Sequence, residues 1–426
     1  MLVSLLRLLT VGVALVAHTA YAATTTTVSL PTGATVTGLL EANGPGRNVK
    51  VFRGVPYAEP PVGDKRWKPS TLKTPTGAIS ATAFGDACVP FYASGPQPRN
   101  SEDCLFLNIF APAGATKGSK LPVMVWIHGG ALLNGNSSSF DPRGIVAASN
   151  DKVIVLTINY RVGAFGFLSS KQLLAEGNGA NFGLRDQEVA FQWVQKYIEN
   201  FGGDPASVTA FAADLIAKTV GCNPNAADVM TCLRKASTSS IAAIKGSDWR
   251  GFAWMPTFSM LTANEYKQIL ALYPASSFQT LRHRTGEIYG DSMFVCPNEK
   301  VSTTLANDVT YRYRFNYATV QDGYPLVLHG NDGQYLFSQS GSIPANDQAR
   351  LAIAKYFQTF WSDFARTGVP AQATQWPRFT NATKQQIVIQ PTLGIETMGS
   401  QRAGHAERCA FWLQVEQRIA NDVKFF

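Results

Sequence analysis

Two short, almost unbroken apolar runs constrain this chain most: Leu121-Pro-Val-Met-Val-Trp-Ile127 and Val153-Ile-Val-Leu-Thr-Ile-Asn159. A strand with one face in water alternates apolar and polar residues, whereas a strand covered on both faces has no reason to alternate. Such runs belong in the interior of a mostly parallel sheet with helices on both faces, an α/β architecture. Ser207-Val-Thr-Ala-Phe211 reads as a shorter third strand. Before it, Leu184 to Phe201 sets Val189, Trp193, Val194, Tyr197 and Ile198 at helical spacing, and Gly202-Gly203-Asp204-Pro205 stops that helix. Leu351 to Thr367 reads as a second amphipathic helix, closed by Gly368 and Pro370. No linker-like stretch interrupts residues 23–426, which read as one domain.

Composition removes several function classes. With 426 residues, 45% of them apolar and 15% charged, the chain can bury a large core and is no disordered linker. Its formal charge of +8 is diffuse. The densest cluster is only Asp64-Lys65-Arg66-Trp67-Lys68, so nothing points to a nucleic-acid partner. Residues 1–22 read as a signal peptide: Arg7 is the positive end, Leu8 to Ala17 the apolar stretch, and Ala20-Tyr21-Ala22 the small-x-small cleavage site. A bilayer span needs about 20 apolar residues, so no transmembrane anchor is expected and the chain reads as secreted. Sequons at Asn136 and Asn381 suit that route as glycosylation sites. Six cysteines suit an oxidising compartment, but spacing alone does not choose among the fifteen possible pairings. The five histidines show no metal-ligand spacing, so neither a metal nor a cofactor is expected. Oligomeric state is left open.

The chemistry-bearing motif is Trp126-Ile-His-Gly-Gly-Ala131, directly after the first buried strand. Glycines there let consecutive backbone N–H groups converge on one point, which is how an oxyanion hole is made; by itself the pattern also fits a plain strand-to-loop turn. Its surroundings shift that balance toward the functional reading. Phe52-Arg-Gly-Val-Pro-Tyr-Ala58, Glu102-Asp-Cys-Leu-Phe-Leu-Asn-Ile109, Asn159-Tyr-Arg-Val-Gly-Ala-Phe-Gly-Phe167, Asn181-Phe-Gly-Leu-Arg-Asp-Gln187 and Phe201-Gly-Gly-Asp-Pro205 follow one another in order. Together they resemble the type-B carboxylesterases, the group of the cholinesterases and fungal secreted lipases. The likeness is close over Val51 to Phe211 and looser beyond.

That resemblance implies an α/β-hydrolase fold. It also implies hydrolysis of a small-molecule or lipid carboxylic ester through a Ser–Glu/Asp–His triad and an acyl-enzyme. Gly129, Gly130 and Ala131 are implied oxyanion donors, and Pro325-Leu-Val-Leu-His329-Gly330 resembles the catalytic histidine loop. The family's bridges, carried over block by block, imply Cys88–Cys104, Cys222–Cys232 and Cys296–Cys409. Against the pattern, no serine in the chain lies in Gly-x-Ser-x-Gly. Val208-Thr-Ala-Phe211 runs straight into Ala212-Ala-Asp-Leu, which resembles a later part of the family. Near 258–261 a second block, the one bearing the triad acid, is likewise skipped. Glu265 lies nearby but in a helical pattern, and Gly290-Asp291-Ser292 falls in a structural block. Loss of the first block leaves an open strand edge at Phe211. Either Thr310-Tyr-Arg-Tyr-Arg-Phe-Asn316 pairs with it, or a gap remains in the sheet.

Overall fold

In a computed structural model of the protein the described residues are 24–43, 46–90, 99–168, 173, 176, 181–211, 261–306, 309–321, 324–327, 330–338, 342–370, 375–400 and 402–422. The strands are β1 (Thr25–Ser29), β2 (Thr35–Ala42), β3 (Asn48–Pro56), β4 (Ala78–Ser80), β5 (Ala87–Cys88), β6 (Asn100–Ser101), β7 (Phe106–Pro112), β8 (Leu121–Ile127), β9 (Ile154–Ile158), β10 (Gly203–Phe211), β11 (Tyr313–Phe315), β12 (Thr319–Gln321), β13 (Tyr324–Leu326), β14 (Gln385–Ile389) and β15 (Gly394–Thr397). The helices are α1 (Arg143–Ala148), α2 (Gly163–Phe167), α3 (Phe182–Tyr197), α4 (Ala263–Leu272), α5 (Leu281–Gly290), α6 (Cys296–Thr304), α7 (Gly333–Leu336), α8 (Gln348–Thr367) and α9 (His405–Asp422).

The main sheet runs β1-β2-β3-β7-β9-β8-β10, with β4 added beside β2. It is mixed rather than mostly parallel. β8 pairs in parallel with β9 and β10, while β1, β2, β3, β7 and β9 pair antiparallel in succession. The two apolar runs sit where they were expected, next to each other in the parallel part. Their residues divide by parity, as the pleat demands. Val123, Val125, Ile127, Ile154, Leu156 and Ile158 face one core with Trp193, Val194 and Tyr197 of α3. Met124, Trp126 and Val155 face a second core with Ile145 of α1 and Phe357 and Trp361 of α8. A third core joins α4, α6 and α9 through Ile269, Tyr273, Cys296, Cys409 and Trp412.

Local chemistry explains the helix ends. The Asp347 carboxylate accepts from the Arg350 backbone N–H at the start of α8, and Gly368 closes it in the left-handed conformation (φ +73°). The helix expected over 184–201 begins earlier, at Phe182, and tightens into a 3₁₀ turn over Ile198–Phe201. The Gly202–Pro205 segment does stop that helix, but it also opens β10. Gly203 already pairs with Leu121, and a bulge follows before Val208.

The strand expected over Thr310–Asn316 forms at Tyr313–Phe315, and its partner is β14, in parallel register from Tyr313↔Ile387 to Phe315↔Ile389. The pairing with Val208–Phe211 does not form. Among the described residues β10 has β8 as its one partner, and β11, β14 and β15 make a separate sheet. Ile387, Val388 and Ile389 are almost wholly buried, so β14 offers β11 an apolar partner within its own layer.

Candidate active site

β8 delivers the glycine turn to the end of the sheet. His128 is buried, but the backbone then turns outward so that Gly129 and Ala131 are exposed. Gly130, Ala131 and Leu132 all take positive φ, at +115°, +55° and +63°. A Cβ on Gly130 would lie 2.2 Å from the Asn134 carbonyl oxygen, so only glycine fits there. Ala131 and Leu132 pay a steric cost in that region, and such strain persists only where neighbours fix it. Those neighbours are the Leu133 N–H on Gly130 O (3.0 Å) and the Gly163 N–H on Leu132 O (2.7 Å). Among the described residues no acceptor takes the N–H of Gly129, Gly130 or Ala131. Donors left uncommitted among the described residues are what an oxyanion role would call for.

His128 holds this turn from beneath. Its ring stacks on Tyr160 at 4.3 Å between centroids, and Nδ1–H donates to Gly129 O at 2.9 Å. The Tyr160 hydroxyl donates to His128 O at 2.8 Å. Nε2 is buried with no hydrogen-bond partner among the described residues. Burial therefore favours the neutral ring and pulls its pKa down to about 4, the Gly129 carbonyl opposing only in part.

A polar lattice fixes the loop after the turn. Asn108 Nδ2 donates to Ser137 Oγ and Thr157 Oγ1, at 3.0 and 2.9 Å, while Asn159 Oδ1 accepts from Ser137 N–H at 2.7 Å. The next block carries a buried ion pair. Arg161 donates through Nε and Nη2 to the two oxygens of Asp186, at 2.8 and 2.7 Å, and its backbone N–H adds a third bond at 2.9 Å. Arg66 and Glu102 form a similar fork closer to solvent. The charges of these blocks are therefore architectural: they pin α3 and the outer loops to the sheet.

No residue expected in the triad lies among the described residues. Phe211 of β10 is level with Trp126 of β8, so the chain leaves the sheet beside the glycine turn, where a nucleophile elbow would have to start. Ala212 to Met260, both expected joins, and Cys222 and Cys232 lie outside the described residues, as does His329. On either side of it, β13 ends at Leu326, and Asp332 caps α7 by accepting from the Gly333 N–H. Asp332 also accepts from the Tyr313 hydroxyl at 2.7 Å, tying this loop to β11. Sequence reasoning missed that anchor, although an Asp just before a short helix is a cap signal.

Glu265 is no triad acid in this structure. It closes a capping box with Thr262 at the start of α4 and pairs with Arg418 at 2.7 Å. Burial alone would raise its pKa, but the Arg418 guanidinium and the Thr262 bonds leave it below the usual value. Asp291, wholly buried, accepts from the Tyr273 hydroxyl at 2.8 Å and faces Arg402 at 2.7 Å, while Ser292 donates to a helix carbonyl. Both are structural, as expected.

Two implied disulfides are formed, Cys88–Cys104 and Cys296–Cys409. Glu299, His405 and Cys409 converge closely, yet the Cys409 sulfur is committed to its bridge. That leaves a histidine–carboxylate pair at 2.6 Å, too few donors for a structural metal. Of the sequon residues, Asn381 is exposed with Nδ2 donating to Thr303 O at 3.1 Å. Asn136 is half-buried and gathers the Ser138 and Ser139 hydroxyls on its carbonyl oxygen.

A mixed sheet between two helical layers, with a strained glycine turn after an inner strand, has the architecture of an α/β hydrolase. The crystal structure of Aspergillus niger EstA matches it with a TM-score of 0.75 over 93% of this chain and 99% of that chain, at 22% identity. The carboxylesterase family model matches residues 24–214 and 252–412, and the chain belongs to that family. Carboxylesterase 1E of Mus musculus is 34% identical over 513 aligned positions, covering 86% of this chain and 89% of the relative. Carboxylesterase 1C of Rattus norvegicus is 26% identical over 500 positions, with the same two shares. Lipase 1 of Geotrichum candidum is 38% identical over 43% of this chain and 38% of its own length. No helix among the described residues is long and apolar enough to cross a membrane.

Proposed function

We propose that this chain is a secreted carboxylesterase-family protein that keeps the scaffold and the oxyanion turn but has lost ester hydrolysis. One observation carries the reading: no serine in the whole sequence occupies a Gly-x-Ser-x-Gly elbow. In the ancestral reaction His329 would take the serine proton, and Gly129, Gly130 and Ala131 would donate to the oxyanion. Without the elbow there is no nucleophile, and the N–H following it is also lost from the oxyanion hole. The nearest acid from the sequence reading, Glu265, is engaged by Arg418 and supports no alternative triad. Serine hydrolases stripped of their triad keep about 10³–10⁴-fold over water only through an intact hole, so residual turnover falls below even that.

Secretion rests on the signal-like residues 1–22 and on the disulfides, which suit an oxidising compartment. Asn381, being exposed, is the better glycan acceptor of the two sequons. A second reading, a shortened product without independent function, is favoured by one fact. The alignments run to 500 and 513 positions against a chain of 426 residues, which requires gaps within this chain. A non-catalytic binding or adhesion module is the remaining alternative.

The test is steady-state and burst kinetics of the purified secreted chain on short-chain p-nitrophenyl esters, beside a His329→Ala variant. The expected result is no burst and the same negligible turnover for both. A burst that disappears in His329→Ala overturns the proposal.

A further inference from the structure

The Cys296–Cys409 bridge joins two helices that carry more metal-ligating chemistry than the bridge itself uses. Cys296 opens α6 with Glu299 three residues on, and His405 opens α9 with Cys409 four residues on. Residues three and four apart share a helix face, so each helix contributes one pair of donors to a common spot. There His405 Nε2 is 2.6 Å from Glu299 Oε2, and the Cys409 sulfur lies 3.9 Å from both ring nitrogens. Ligand atoms of Glu299, His405 and Cys409 all lie within 4.8 Å of one another, and the Cys296 sulfur is bonded to that of Cys409. A tetrahedral zinc, with nitrogen and oxygen at about 2.0–2.2 Å and sulfur at about 2.3 Å, separates its ligand atoms by about 3.3–3.8 Å. That separation falls between the closest and the widest of these spacings.

The surroundings suit such an ion. Cys296 is fully buried and Cys409 and His405 nearly so, while the Glu299 side chain stays 18% exposed, so solvent reaches the cluster on that side. Two thiolates, a carboxylate and a neutral imidazole around a divalent ion leave one excess negative charge. Lys384 Nζ stands 3.9 Å from Glu299 Oε1, and the Arg312 charge acts on the same carboxylate, so cations are in place to balance it. In the bridged chain both sulfurs are spent on each other, and only the histidine–carboxylate pair is left. Reduction restores the missing donors. A dithiol gives two electrons and two protons to the bridge, is itself oxidised to a disulfide, and leaves two thiols. We propose that the reduced chain binds one zinc ion at Cys296, Glu299, His405 and Cys409, so that a metal takes over from the disulfide in joining α6 to α9. The two thiol protons leave to solvent as the thiolates bind, and the imidazole carries its one proton on Nδ1. Four protein ligands close the coordination shell, which makes the site structural, and paired thiolates select zinc over magnesium or calcium. This role is independent of whether the chain hydrolyses esters.

Cobalt(II) titration of the full chain tests it, because cobalt enters zinc sites and its bonds to thiolate absorb as a charge-transfer band. A phosphine serves as reductant, becoming the phosphine oxide, since a dithiol would itself hold the metal. The reduced chain should bind cobalt with that band, zinc should bleach it, and zinc should raise the reduced chain's melting temperature. The bridged chain should do none of these. Reduction also frees the other cysteines, so the decisive variants are those that leave all six in place. Glu299→Gln and His405→Asn should each weaken binding by about tenfold or more, since even a change behind the ligands commonly costs that much. Glu299→His, which returns a ligand without a carboxylate, should restore it, whereas an ion pair serving only the fold would gain nothing from a second histidine. A reduced chain that takes no cobalt overturns the proposal, as does equal binding by the bridged chain. So does reduced-state binding that Glu299→Gln and His405→Asn leave intact, or a loss in Glu299→Gln that Glu299→His fails to restore.

Discussion

Acidification should loosen the glycine turn after β8 through a single residue. His128 is buried against Tyr160, its Nδ1–H is committed to Gly129 O, and its Nε2 has no described partner. A proton on Nε2 would be a buried charge whose donor has nothing to meet. Its pKa falls from 6.5 to about 4 because burial penalises the charged ring. With the folded value below the unfolded one, the contribution to stability is complete above about pH 6.5 and drains away as pH falls toward 4. Each unit is about 1.4 kcal/mol, so the full loss is about 3 kcal/mol, and about 2 kcal/mol of it falls between pH 7.5 and 5. Glu41, lowered by Arg53, and Glu299, lowered by His405, lose their contributions only below their ordinary value of 4.5, which keeps the upper window clear of them.

The assay is urea unfolding of wild type and His128→Gln at pH 7.5, 6.5, 5.5 and 5. Groups common to both proteins cancel in the difference. At pH 7.5 the wild type should be the more stable, since the amide cannot replace the ring stack on Tyr160. That advantage should shrink by about 2 kcal/mol at pH 5. A difference that stays constant across the series refutes the argument.

Two further predictions follow from buried chemistry. Paired cysteine-to-alanine replacement should cost about 5 kcal/mol at Cys296–Cys409, which closes 113 residues, against about 3 kcal/mol at Cys88–Cys104, which closes 16, if unfolded-chain entropy dominates. Equal urea midpoints for the two variants would contradict that ordering. Asp186→Asn should cost about 3–5 kcal/mol, because it strips the carboxylate from a guanidinium only 3% exposed; a midpoint within error of wild type would show that Arg161 finds another partner.

The legible parts of this fold are those where one physical demand dominated. Leu121–Ile127 was readable because both of its faces meet apolar cores, and Leu351–Thr367 because a single stripe packs and glycine ends it. The antiparallel strands β1 to β3, and the short β4 beside β2, were not read. In β1 the alternating pattern of Thr25–Ser29 carries little apolar contrast. Gly203 looked like a breaker and is the first residue of β10, since pairing with Leu121 decides its role and local propensity does not. For Tyr313–Phe315 the strand was legible but the neighbour was not. Its partner β14 comes about seventy residues later, and alternation does not encode which edge a strand seeks. At the site, the glycine turn announced itself through residue type. The supports from His128, Tyr160 and Asp332 depend on distances that no spacing rule supplies.

Intact mass after incubation with a fluorophosphonate tests the central claim most directly, because the reagent needs an activated serine and nothing downstream of it. The purified chain should stay unlabelled at a concentration and time that fully label an active carboxylesterase run beside it. Stoichiometric addition to one serine, abolished by His329→Ala, would mean that a nucleophile and its base are assembled here after all, and the account of a scaffold without its chemistry would be wrong.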